Sequence, residues 1–116
     1  MTDPLIELRD KLRVFTRARE WDRYHTPKNL AMALTVEAAE LAEHFQWLTA
    51  EESRSPQDGK LGQIRDELAD VLIYLVELAD ALEVDLIAAA RDKIEKNALK
   101  YPVEKARGNA KKYDEL

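Results

Sequence analysis

The chain has 116 residues, a formal charge of −5 and no cysteine. That length suits one compact domain with one core and one site rather than a modular protein. The missing thiols exclude disulfides, thiolate zinc sites and cysteine nucleophiles, in keeping with a reducing compartment, and the negative charge works against nucleic acid and anionic membranes while leaving room for a small anion bridged by a cation.

The opening stretch, Met1 to Asp10, is charged and lacks the apolar run of a signal peptide. No segment approaches the roughly 20 apolar residues of a membrane span, so the sequence reads as soluble and cytoplasmic. Three glycines and four prolines interrupt apolar residues that recur at helical spacing, which predicts an all-α domain. The first helix starts with Asp3 as N-cap and Pro4 at the first helical position and runs to about Arg19, with Leu5, Leu8, Leu12 and Phe15 on one face. A loop holds Trp21 to His25. Thr26 and Pro27 repeat the cap-and-proline pattern and open a second helix to about Trp47. Thr49 with Glu52 makes a capping box for a short helical turn. The polar stretch Ser53 to Gly59 is the one long connection, followed by a helix from about Lys60 to Leu82 whose centre, Val71 to Val76, is apolar all round except at Tyr74, so this helix is expected to be the buried one. Asp85 caps a last long helix that stops near Lys100, because Pro102 disfavours helical geometry at Tyr101. Residues 1–102 thus read as the domain and 103–116 as a charged tail. So small a domain buries proportionally little surface, and a second copy sharing the site's surface is expected.

Four carboxylates stand where surface charge does not belong. On a wheel at about 100° per residue, Leu30, Leu34, Leu41 and Leu48 form a stripe that contains Glu37, with Glu40 at its edge. On the Lys60 helix, Glu67, Asp70 and Tyr74 border the apolar face of Leu61, Ile64, Leu68, Leu72, Leu75 and Leu82. Antiparallel packing of the two helices would bring both acidic pairs together. Two like charges about 5 Å apart repel by roughly 3 kcal/mol at an effective dielectric near 20, so four of them need counterions. All-oxygen ligation suits a hard cation, magnesium with manganese as a possible substitute, and such ions take further ligands from phosphates. A single acidic i,i+3 pair is ordinary surface charge, as Glu43, Glu51, Glu52 and Asp80 are read here; two pairs on successive helices, one inside an apolar stripe, favour a metal.

On the last long helix Lys93, Asn97 and Lys100 share a face that could meet phosphate or sugar oxygens, or could equally be a solvated helix end. Trp21 and His25 before the second helix and Trp47 at its end offer rings for a base, although tryptophans in a small helical domain are more often core. His25 lacks a partnered ligand or nucleophile, which suits hydrogen bonding rather than metal binding.

Glu37-x-x-Glu40, 26 further residues, then Glu67-x-x-Asp70 resembles the ExxE…ExxD pattern of the MazG-like all-α nucleoside triphosphate pyrophosphohydrolases. Arg19 to Asp22, Tyr24 to Leu30, Phe45 to Trp47, Asp70 to Leu75, Lys93, Asn97, Tyr101-Pro102 and the ending Lys112 to Leu116 are similar to the dCTP pyrophosphatase branch, and together cover nearly the whole chain. The resemblance implies a four-helix protomer assembling as a homodimer or dimer of dimers. It also implies hydrolysis of a nucleoside triphosphate, dCTP or a modified cytosine nucleotide among the candidates, to the monophosphate and pyrophosphate. Glu37, Glu40, Glu67 and Asp70 would hold magnesium, Trp21, Trp47 and Tyr74 would border the nucleoside, and Lys93 and Asn97, with Lys100, His25 and Tyr101, would complete the substrate site. Where the animal dCTP enzymes are expected to place a base-contacting histidine, this chain has Leu12. Two other readings compete. A di-iron bundle needs Glu-x-x-His pairs, which neither acidic pair supplies. A non-catalytic helical interaction module would use the acidic rows to contact a basic partner.

Overall fold

Local chemistry at the helix starts sets the architecture. Asp3 takes extended backbone angles and its Oδ1 accepts from the Leu5 N–H at 2.8 Å, with Pro4 opening helix α1 (Pro4–Ala18). The Thr26 hydroxyl accepts from the Asn29 N–H at 3.2 Å and starts α2 (Pro27–Glu43). Thr49 and Glu52 complete a reciprocal capping box, 2.8 and 3.1 Å, on the single turn α3 (Ala50–Ser53). Gly59, with φ of 85°, turns the chain into α4 (Lys60–Ala81), and Asp85 accepts from the Ala88 N–H at 3.0 Å to start α5 (Leu86–Lys100). A short α6 (Val103–Ala106) and a 3₁₀ turn, Tyr113–Glu115, follow. This computed structural model describes residues 3–116; the first two positions of the charged opening stretch lie outside the described residues.

The all-helical expectation holds; α1, α2 and α5 begin at the caps Asp3, Thr26 and Asp85, and α4 begins at Lys60, after Gly59. One boundary differs. α2 stops at Glu43 instead of Trp47, because Thr49 needs extended geometry (φ −72°, ψ 165°) to cap α3, and the chain reaches it through three-residue turns such as His44 N–H to the Leu41 carbonyl and Leu48 N–H to the Phe45 carbonyl.

The chain divides into two compact units, Met1–Glu83 and Val84–Leu116. In the first, α1 and α2 both pack on α4. Leu30 near the start of α2 lines one cavity with Val76 near the end of α4, while Glu37 meets Glu67 and Asp70 further back, so α2 and α4 run antiparallel. The core is thin: Leu30, only 2 % exposed, Ile64, Val76 and Ala79, with Thr16 as the buried polar residue. α4 is therefore not encased as its sequence suggested; Leu61, Leu68, Leu72 and Leu75 remain exposed. Within the first unit α1 and α2 pack on α4 and leave that row exposed among the described residues. In the second unit the segment after Pro102 carries α6 and a 3₁₀ turn; the Tyr113 ring meets Tyr101 edge to face at 6.3 Å and lies under the Lys100 ammonium at 4.9 Å.

The α1–α4 contact is held by Arg13, which forks onto Asp80 with both nitrogens, the Nε bond being 2.8 Å. These hydrogen bonds hold the Asp80 carboxyl below the usual aspartate range, outweighing the burial that pushes it up. A depressed folded pKa adds stability above the unfolded value, near 3.9, and loses it as pH falls through the folded value. Asp80→Asn should accordingly lower the melting temperature at neutral pH by a few degrees and flatten its decline below about pH 4, measured by circular dichroism melts across that range.

Candidate functional site

A Schellman turn positions the aromatic residues between α1 and α2. At the end of α1, Glu20 adopts a left-handed φ of 55°, its N–H bonds the Arg17 carbonyl at 3.1 Å, and the Trp21 N–H bonds the Thr16 carbonyl at 3.0 Å. The Thr16 hydroxyl lies within 3.2 Å of Asp22 Oδ1, and the Asn29 side chain donates to the Tyr24 carbonyl at 2.9 Å, so the 3₁₀ turn Asp22–Tyr24 is tied to both α1 and α2. Trp21 then stands edge-on to Phe15 at 5.7 Å and 6.3 Å from the His25 ring. His25 in turn places Nδ1 3.7 Å from Glu77 on α4.

The antiparallel pair α2/α4 brings Glu37, Glu67 and Asp70 into one cluster, with a ligand oxygen from each within 4.8 Å of the others. All three are half-buried, and Glu37 Oε2 and Glu67 Oε2 have no hydrogen-bond partner despite being shut off from solvent. Leaving such oxygens unpaired is costly. Burial raises the Glu37 carboxyl to about 7, and the neighbouring Glu40, Asp70 and Glu67 push in the same direction. Glu40 thus stands beside the cluster rather than within its closest trio. Tyr74, one turn past Asp70, has its phenol raised by burial and by the charges of Glu37, Glu77 and Asp70, so one continuous acidic face runs along α4.

This donor set fits a hard divalent cation. It is all oxygen, it contains two orphaned carboxylate oxygens, and its spread is close to the about 4 Å that separates opposite ligands of an ion bound at 2.0–2.1 Å. The energetic need is the same as the chemical one, because removing the mutual repulsion of the carboxylates requires positive charge.

Of the other residues singled out by sequence, Trp21 and His25 adjoin the α1–α2 turn, Tyr74 lies between the cluster and Glu77, and Trp47 is 87 % exposed in the turn after α2. Lys93, Asn97, Lys100 and Tyr101 belong to the second unit, where Lys100 and Tyr101 both contact the Tyr113 ring. Sequence reading missed Glu77 and treated Asp80 as ordinary surface charge. A signal existed for Glu77: it extends the row Glu67, Asp70, Tyr74 by three more positions on the same face of α4.

A model of the MazG-like family matches residues 32–116. The chain is 43 % identical over 106 residues to the human (Homo sapiens) dCTP pyrophosphatase 1, a match covering 88 % of this chain and 61 % of that protein. It is 44 % identical over 105 residues to the mouse (Mus musculus) protein of that name, with the same coverage. The chain therefore spans about 61 % of the length of these mammalian relatives. The crystal structure of a pyrophosphatase from Archaeoglobus fulgidus DSM 4304 superposes with a TM-score of 0.82 at 45 % identity, covering 88 % of this chain and 95 % of that one.

If the carboxylates bind a divalent ion, millimolar magnesium should raise the melting temperature well beyond the effect of sodium chloride at equal ionic strength. A site loaded to 100 times its dissociation constant adds about 2.7 kcal/mol. The gain should vanish in Glu67→Gln and persist in Glu51→Gln. Equal responses to the two salts would reassign the cluster to a solvated acidic face.

Proposed function

Because the chain belongs to the MazG-like family, we propose that it hydrolyses a nucleoside triphosphate to the monophosphate and pyrophosphate in a magnesium-dependent reaction. The observation that carries this reading is the trio Glu37, Glu67 and Asp70, whose buried oxygens lack partners and converge from two helices. The dCTP pyrophosphatase relatives and the archaeal pyrophosphatase support it from outside the chain, and make dCTP or a modified cytosine nucleotide the first substrates to test.

A divalent ion held by these carboxylates supplies neutralising charge for the triphosphate and a more acidic water. The chain's own groups do the rest. Glu40, next to Glu37 but outside the closest trio, accepts the proton of the attacking water. The water oxygen bonds to the α-phosphorus in line as the bond from that phosphorus to the bridging oxygen breaks, and the electron pair leaves on pyrophosphate. In this reading Lys93 and Lys100 meet the departing charge, Asn97 the sugar or phosphates, and Trp21, Trp47, His25, Tyr74 and Tyr101 border the nucleoside. A hard ion on an all-carboxylate set accounts for the choice of magnesium, with manganese as a substitute.

The same reading includes a second copy of the chain, as a dimer or dimer of dimers. Leu61, 60 % exposed, Leu68, 53 % exposed, and Leu72 and Leu75 line up along α4, and Met32 and Val36 are exposed on α2. Rows of large apolar residues of this kind mark association surfaces.

Glu67→Gln should abolish magnesium-dependent pyrophosphate release, by at least a hundredfold, with helical circular dichroism retained; activity equal to the parent would remove the carboxylates from the mechanism. Release of orthophosphate by the parent protein would move the cleaved bond. Leu68→Glu should shift the sedimentation coefficient to that of a single chain, whereas an unchanged oligomer would place the contact elsewhere.

A further inference from the structure

One turn beyond Tyr74, the carboxyl of Glu77 reaches a second enclosure, a cavity of about 240 Å³ between α1, the Asp22–Tyr24 turn, the start of α2 and the end of α4. Its apolar walls are Leu12, Leu30, Val76 and Ala81, and its polar lining includes His25 and Glu77. The volume falls below the roughly 300–1,000 Å³ of pockets that take drug-sized molecules, which suits a single ring system rather than a whole nucleotide.

Glu77 is the anomaly in this lining. Its side chain is only 10 % exposed, and its Oε2 is shut off from solvent with no hydrogen-bond partner. His25 Nδ1 approaches to 3.7 Å, which is too long for a hydrogen bond. A buried acceptor without a donor is costly, and a docking group that supplies the donor recovers that cost. The cavity's charges point the same way. Arg13 is committed to Asp80 and Arg9 to Asp10, and the third arginine of the lining, Arg17, is exposed to solvent. The unsatisfied group is the carboxyl, which calls for a hydrogen-bond donor.

Position along the helix identifies the donor. Glu77 is seven residues past Asp70, two turns or about 10 Å along α4, and Tyr74 between them feels the charges of both. A nucleotide with its phosphates at the acidic trio can send its base toward this cavity, where His25 is part of the lining and Trp21 stands 6.3 Å from the His25 ring. We propose that Glu77 is the specificity-determining residue of the site: its carboxyl accepts a hydrogen bond from the exocyclic amino group of the base, favouring amino-bearing bases over uracil and thymine. This rests on the triphosphate reading above. Pairing of a carboxylate with the amino group of cytosine is a known mode of base readout, and a site that leaves a buried polar group unpaired rejects the wrong partner strongly.

The cleanest substrate pair is dCTP and dUTP, which differ at the amino edge. With magnesium, the parent protein should show a kcat/KM ratio favouring dCTP by at least tenfold. Glu77→Gln and Glu77→Ala should each reduce that ratio at least tenfold, chiefly through KM, while the magnesium-dependent gain in melting temperature is unchanged. A purely structural Glu77 would lower the melting temperature and slow both substrates in proportion, leaving the ratio intact, and that result overturns the proposal. So does a parent ratio near one, which needs no variant to fold. Calorimetric binding of non-hydrolysable α,β-imido analogues of the two nucleotides separates this inference from the proposed activity. If the parent hydrolyses neither nucleotide but binds the dCTP analogue tighter in a manner lost in Glu77→Gln, the activity falls and the base-reading role stands. Binding of both analogues with equal affinity overturns that role, whatever the rate.

Discussion

The repulsion among carboxylates that α2 and α4 direct at each other is the constraint from which the other features follow. Glu37 sits in the same helical stripe as Leu30, so the packing that buries Leu30 also carries Glu37 inward, toward Glu67 and Asp70. A helix cannot turn one of these residues outward without turning the other. The rise of the Glu37 carboxyl to about 7 comes first from that burial and then from the neighbouring carboxyls of Glu40, Asp70 and Glu67. Apolar side chains in the same places would stabilise the helix pair more simply, so the acids are not there for the packing of α2 on α4.

A second consequence is a shortage of core. Positions on α2 and α4 given over to acids, and on α4 to Tyr74 and Glu77, are unavailable for apolar packing, and few residues in the first unit are fully buried. The apolar row Leu61, Leu68, Leu72 and Leu75 then remains on the opposite side, where α1 and α2 do not reach. An exposed apolar row of this kind is the type of surface that association would cover. The acidic cluster and the exposed apolar row are in this sense two outcomes of one pattern of residues.

Helix starts were legible because caps are local: Asp3 with Pro4, Thr26 with Pro27, Thr49 with Glu52, and Asp85 each satisfy orphan N–H groups within three residues. The end of α2 was not, since Phe45 and Leu48 continue the apolar pattern without a glycine or proline, and only the geometry demanded by the next cap unwinds the chain. The acidic pairs could be read from period alone, because i,i+3 spacing and an apolar stripe fix a common face. Burial of α4 could not, because an apolar periphery looks the same in sequence whether its cover comes from the same chain or from another.

Glu77 and Asp80 show where spacing along a helix stops being informative. Both are acids near the end of an apolar helix, three residues apart, and by spacing they are equivalent to Glu67 and Asp70. What separates them is the partner supplied from α1 and the turn after it. Asp80 meets Arg13, gains two hydrogen bonds and becomes a clamp between helices. Glu77 has His25 at 3.7 Å, beyond hydrogen-bond reach, and keeps an oxygen unsatisfied. That difference arises from contacts more than 50 residues apart in sequence, where periodicity carries no information. It also distinguishes a structural acid from one available to a ligand, because the first has its hydrogen bonds in the folded chain and the second still lacks one.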